Sequence, residues 1–241
     1  MSHGIYAALS GAVAQETSLE TTAQNLANAQ TAGYRGARPV FHEVLSQAGR
    51  PGSGPPLRFT AMTGTTLDMA PGDVRETGRA LDLALEANDF LVVKDARGDR
   101  YTRAGSLKLA ADGTLLAPSG DPLLGEDSRP LKVPAGATPT IDVDGTVRAG
   151  GSAVGRLRLV TFAKPELMTR EGDTLLAAGG AGAPTLSPRS VRVGAVEGSN
   201  ASALRGMTEL MRASRLFEAF QRAIDAFHDA DRKVVTQVPT R

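Results

Sequence analysis

Cysteine and tryptophan are both missing from the 241 residues. Without cysteine the chain can form no disulfide, no thiolate metal site and no cysteine nucleophile. Without tryptophan, and with aromatics at 4%, its core must be aliphatic, drawn mainly from Leu, Val and Ala. Neither sign of charge dominates: 27 Lys and Arg stand against 26 Asp and Glu. With the signs interspersed there is no phosphate-neutralising footprint, and nucleic acid is not an expected partner. No stretch approaches the roughly 20 apolar residues of a membrane span. The run from Met1 to Glu20 lacks the basic start of a secretory signal, and Gln15 and Glu16 interrupt its apolar part. Passage out of the cytosol is therefore expected to proceed without a cleaved Sec signal.

Groupings that carry chemistry are equally scarce. His3, His42 and His228 lie far apart, and none has a ligand-type neighbour four residues on. Asp142-x-Asp144-Gly145 starts like a calcium loop but lacks the later acidic positions and the closing Glu, so a hairpin turn explains it better. Gly180-x-Gly182 does not open a helix after a strand, and no phosphate-cradling Gly-x-x-x-x-Gly-Lys run exists. The sequon Asn200-Ala201-Ser202 reads as a helix cap. Most carboxylates fall in turn signals or on polar helix faces, where solvation accounts for them. No catalytic, cofactor-binding or metal-binding residue is assigned, no small-molecule substrate is expected, and the chain is not expected to be an enzyme. A secreted hydrolase would need convergent carboxylates or a Ser/His pair, and neither constellation is evident.

What the chain does have is pattern at its two ends. Over residues 4–29, Ile5, Leu9, Ala12, Glu16, Leu19, Ala23 and Leu26 step by four and three, the spacing of an a/d helical seam that only Glu16 breaks. Gly33 suits the left-handed position past a helix end, so the helix should stop between Asn28 and Gly33. The C-terminal segment repeats the pattern with Ala213, Leu216, Phe220, Ala223, Phe227, Ala230 and Val234, widened by Leu210, Phe217 and Ile224. Asn200 or Ser202 is the expected cap of this helix.

Between the ends the period changes. Residues 89–94 and 155–162 read as strands, the second with clean alternation. Asp112-Gly113 and Asp144-Gly145 each sit between strand-like flanks, a hairpin signal. The runs 46–56 and 177–184 are rich in Gly with Pro or Ala and read as mobile linkers. The expected fold class is α+β, with coiled-coil-like terminal helices flanking a central, mainly antiparallel β domain. Four segments follow: 1–35, an N-terminal helix and turn; 36–74, an extended Gly/Pro-rich linker; 75–190, the β domain; 191–241, the C-terminal helix. Long linkers between helices and strands suggest helices that pair with helices rather than with the sheet. An unpartnered seam of about 25 residues is only marginally helical and is adhesive, so assembly is expected to complete the fold. The expected assembly interface comprises Ile5, Leu9, Ala12, Leu19, Leu26, Leu216, Phe220, Ala223, Phe227 and Val234. On this reading Phe220 faces water in the free monomer.

Specific residues add a family likeness. Asn25-Leu-Ala-Asn-Ala-Gln-Thr-Ala-Gly-Tyr-Arg35 resembles the N-terminal signature of flagellar rod and hook proteins, with Gln30 and Arg35 as mild departures. Thr77 to Glu86 and Tyr101 to Ser106 resemble the family's central motifs, and Val196 to Asn200 followed by Met207 its C-terminal one. Ala87-Asn-Asp-Phe-Leu91 departs from the family's usual Gly-Asp-Gly-Phe-Phe. The likeness spans almost the whole chain and is greatest to the family's proximal rod members, with distal rod and hook-type subunits as alternatives. It implies a structural subunit exported unfolded by the flagellar type III apparatus and stacked in the periplasmic rod of the basal body. There it would contact copies of itself and other rod subunits and transmit torque. It also implies that Asn25, Asn28, Gly33 and Tyr34 form the signature turn through which the chain leaves its first helix. A trimeric coiled-coil adhesin, the contrasting class, predicts a Sec-type signal and longer heptads, which are not present.

Overall fold

The computed structural model describes residues 2–46, 57–86, 88–188 and 190–237. It is α+β: a helix at each end and antiparallel strands between. The chain divides into two compact units. One holds α1 (Ser2–Ala27) as far as Leu26 and α2 (Ala203–Gln237), with most of the strand pair Ala37–Ser46 and Leu57–Leu67; the other holds residues 27–36 and 67–202.

In the helical unit, α1 and α2 run antiparallel against each other. Gly11, near the start of α1, faces the ring of Phe220, while Leu26, near its end, lies beside Gly206 at the start of α2. Small residues let the helices approach: Ala8, Ala12, Ala14 and Ala213 are all buried. Thr21 is also buried, and its hydroxyl donates to the Thr17 carbonyl at 2.8 Å, so that hydroxyl is not orphaned. The stretch read as an extended linker carries the two long strands Ala37–Ser46 and Leu57–Leu67, paired with each other. That reading rested on the Gly/Pro run, most of which lies outside the described residues.

The β unit centres on Phe90–Asp95, whose first four residues are all buried. An antiparallel six-stranded sheet runs in the order Thr169–Arg170, Leu175–Ala177, Gly98–Thr102, Phe90–Asp95, Leu159–Thr161, Thr185–Leu186. Leu83, Leu91, Leu115, Leu123, Val147 and Leu157 build the aliphatic core. Three buried aromatics form a group apart from that cluster, with Phe162 edge-on to Tyr101 at 4.7 Å and to Phe90 at 5.9 Å. A closed triangle of backbone bonds ties three chain segments: Leu115 N–H donates to Leu131, Leu131 to Leu123, and Leu123 to Leu115.

Both Asp-Gly hairpins form. Each closes in the loop class where a turn is followed by a left-handed residue: Gly113 (φ 84) and Gly145 (φ 83) take that position, ahead of Thr114 and Thr146. Asp112 and Asp144 accept bonds from the backbone and hydroxyl of the Thr two residues on, which holds both carboxyls below their ordinary range.

Two further expectations are corrected. Residues 177–184 are not a loose linker, since Gly179–Ala181 forms a packed turn with Ala181 buried. A Cβ at Gly179 would lie 2.7 Å from the Thr169 hydroxyl, so the glycine there serves close packing rather than slack. Strands Val191–Val193 and Ala195–Glu197, read as the start of the C-terminal segment, instead pair with Leu83–Leu85 and Val74–Glu76.

Candidate assembly interface and signature turn

The helical seam divides into a face used inside the chain and a face left open. Ala12 is buried, and Ile5, Leu19, Leu26, Phe220, Ala223 and Phe227 are half-buried. Leu9 (49% exposed) and Leu216 (41% exposed) point outward, and the side chain of Val234 lies outside the described residues. Phe220 is already half-buried within the chain. Its ring fills the notch at Gly11, contrary to the expectation that it faces water in the monomer.

Exposed apolar residues lie elsewhere on the same helices. Tyr6, Leu9 and Val13 are spaced three and four apart on α1, and Leu204, Met207 and Met211 repeat that spacing on α2. Apart from Leu9 these were missed, because the seam chosen from the sequence followed the longest run of three-and-four spacing on each helix. The second stripe, with the same period, was the available signal.

The signature turn is held by its own polar groups and by three distant segments. Asn25 clamps Ala37, its side-chain nitrogen donating to the Ala37 carbonyl (2.8 Å) and its oxygen accepting the Ala37 N–H (2.9 Å). The Asn28 side chain accepts the Thr31 hydroxyl at 3.0 Å. Gly33 has φ 71 and donates its N–H to the Glu197 carbonyl at 2.8 Å; a Cβ there would lie 2.4 Å from the backbone of Arg103 and Ala104. Only glycine meets both demands. Tyr34 is fully buried, with the Arg170 guanidinium 4.3 Å over its ring. Burial raises the Tyr34 hydroxyl pKa, partly countered by the Arg170 charge, and burial lowers that of Arg170. Arg170 also donates to the Arg35 carbonyl.

Beneath the turn sits a buried charge cluster. Glu197 accepts Arg35 at 2.6 Å on one oxygen and Arg103 at 2.7 and 2.9 Å on the other, and also takes the Gly72 N–H at 3.0 Å. Arg103 donates further to the carbonyls of Asp89 (2.6 Å) and Leu85 (3.2 Å). Burial lowers the Arg103 pKa and Arg35 repels its charge, while Glu197 holds it up. Asn200, expected as a helix cap, serves this region instead: its oxygen accepts the Gly36 N–H (2.7 Å) and its nitrogen donates to the Asp68 and Ala70 carbonyls. The four motif-bearing stretches thus meet through Arg35, Leu85, Arg103 and Glu197. The departure at residues 87–91 meets them too, through the Asp89 carbonyl. Among the described residues no group of His, Asp or Glu is arranged to hold a metal ion, and no helix is long and apolar enough to cross a membrane.

Residues 5–35 match the family described as flagella basal body rod protein, residues 84–149 the flagellar hook protein FlgE/F/G D1 domain, and residues 192–237 the flagellar basal body rod FlgEFG protein C-terminal region. The chain is 35% identical to flagellar basal-body rod protein FlgF of Escherichia coli K12, over 95% of each chain. It is 35% identical to FlgF of Salmonella typhimurium LT2, over 93% of each. Flagellar basal-body rod protein FlgG of Bacillus subtilis 168 is 26% identical, over 93% of this chain and 94% of its own.

Proposed function

This chain belongs to the flagellar basal-body rod protein family, and on that footing we propose that it is a structural subunit of the proximal part of the rod, bearing load and catalysing nothing. The observation that carries the reading is the convergence of the family-like motifs on one buried cluster, Arg35, Arg103 and Glu197. Residues spent on that cluster are spent on holding the turn after α1 at a fixed exit, which is what a load-bearing subunit needs. The 35% identity to proteins named FlgF favours a proximal position over the distal one of FlgG.

The subunit joins copies of itself and other rod subunits through its terminal helices, while the β unit sets their spacing. It reaches the periplasm unfolded through the flagellar type III apparatus and transmits torque once stacked. A chain that carries no cysteine suits such a passage, having no thiols to cross-link on the way. Imaging purified basal bodies with this chain tagged tests the assignment: the tag should decorate the rod near its inner end. A tag absent from basal bodies, or swimming unaffected by loss of the chain, would refute it.

A further inference from the structure

We propose that a second copy of this chain docks side by side, with the outward face of its α1 against the outward face of α2. This rests on the reading that the chain self-assembles, and it names the surfaces. On α1, Tyr6 (63% exposed), Leu9 and Val13 lie about half a turn from Gly11, so they face away from α2. On α2, Leu204, Met207 and Met211 lie about half a turn from the Phe220 face and so point away from α1. The helix pair therefore carries two different apolar strips on its opposite sides. A strip on a monomer of this kind marks a partner site.

Charge selects which strip meets which. The α1 strip continues into Glu16 and Glu20, both exposed, and α1 contains no Lys or Arg. The α2 strip continues into Arg215 and Arg222, with Arg212 beside it and Glu218 between. None of Glu16, Glu20, Arg212, Arg215 and Arg222 makes an ion pair within the described residues. Two α1 faces brought together would oppose acid to acid, and two α2 faces arginine to arginine. Only α1 on α2 brings opposite charges beside matched apolar strips. A contact between two unlike surfaces leaves one of each free after every addition, so it propagates instead of closing as a two-fold dimer does. The methionines suit such a surface, because their flexible side chains adapt to a neighbour of similar but unequal shape.

Mixing two full-length variants tests this. Leu9→Asp with Val13→Asp disables the α1 face, and Met207→Asp with Met211→Asp disables the α2 face; all four positions are exposed, so the helix pair should survive. Unaltered chain should grow into large species with concentration in analytical ultracentrifugation. Each variant alone should stay monomeric, and an equimolar mixture should stop at a one-to-one dimer, because each supplies the face the other lacks. If the Asp pairs lose helicity, the same positions as Ser give the milder version. The surface assignment is overturned if either variant polymerises alone, if the mixture stays monomeric or grows beyond the dimer, or if the unaltered chain never associates. A tag that decorates the rod while the mixture fails would leave the rod assignment standing and remove only these faces.

Discussion

Phe220 occupies the space that a side chain on Gly11 would need: a Cβ there would lie 2.5 Å from the ring. An aromatic knob on one terminal helix thus sits over a bare backbone on the other, and this fixes their register. At an open helical site Gly→Ala stabilises by about 1 kcal/mol through helix propensity. Gly11→Ala should do the reverse, because the ring must move and its packing against α1 is lost. Circular dichroism of the intact chain should show a less stable helical transition. A gain in helix stability would mean that the notch is empty in solution.

Glu197→Gln should be the most damaging single change in the β unit. It keeps the shape of the side chain but leaves Arg35 and Arg103 buried without their counter-charge. Breaking a buried pair in this way costs about 3–5 kcal/mol. Arg192→Ala removes an equally short bridge, to Glu76 at 2.6 Å, but both partners there are exposed. That loss should be about 0–1 kcal/mol. Urea denaturation of the two variants should differ accordingly, and equal losses would show that the cluster is hydrated.

The helices, the aliphatic core and the hairpins at Gly113 and Gly145 were legible because each rests on local period or turn chemistry. The packed turn at Gly179–Ala181 was not, since composition alone cannot separate glycine used for slack from glycine used for close approach. Neither was the pairing of Val191–Val193 with Leu83–Leu85, a contact between segments far apart in sequence. The same limit hid the partner of Phe220: its period showed a buried stripe but not whose helix buries it. Asn25 was found only through family likeness, whereas Gly33 was also marked by its fit to the left-handed position past a helix end. Their roles, a clamp on Ala37 and a backbone approach to Arg103, depend on residues that no local pattern connects to them.

Acid should weaken the β unit partly through Asp82. Burial pushes its carboxyl pKa up, but bonds from Arg79 and Thr77, the Arg79 charge and the Ser106 hydroxyl bring it below the ordinary value. A carboxyl whose pKa is lower folded than unfolded adds stability that is fully present above the unfolded value, about 3.9. That stability is lost as pH falls through the lower folded value. Asp82→Asn should therefore be less stable at neutral pH, and its denaturation midpoint should fall less steeply on acidification below about pH 4. Parallel curves for the two proteins would exclude Asp82 as a contributor.

The limits of the β domain can be settled with two fragments, 75–190 and 67–202. The shorter one keeps every strand of the six-stranded sheet but loses Val191–Val193 and Ala195–Glu197, the partners of Leu83–Leu85 and Val74–Glu76. It also loses Val191, a buried member of the core, and Glu197, the counter-charge of Arg103. Burying one such aliphatic side chain contributes about 1.5–3 kcal/mol, and an unpaired Arg103 adds a larger penalty. We propose that 67–202 is the autonomous unit. It should melt cooperatively as a β-rich monomer, although Arg35 is absent, because Glu197 and Arg103 still neutralise each other. Fragment 75–190 should show a lower and broader thermal transition with an Arg103-dependent defect, partly relieved by Arg103→Met. If the two fragments melt alike, strands 191–197 belong with the C-terminal helix after all, and the β domain ends at 190.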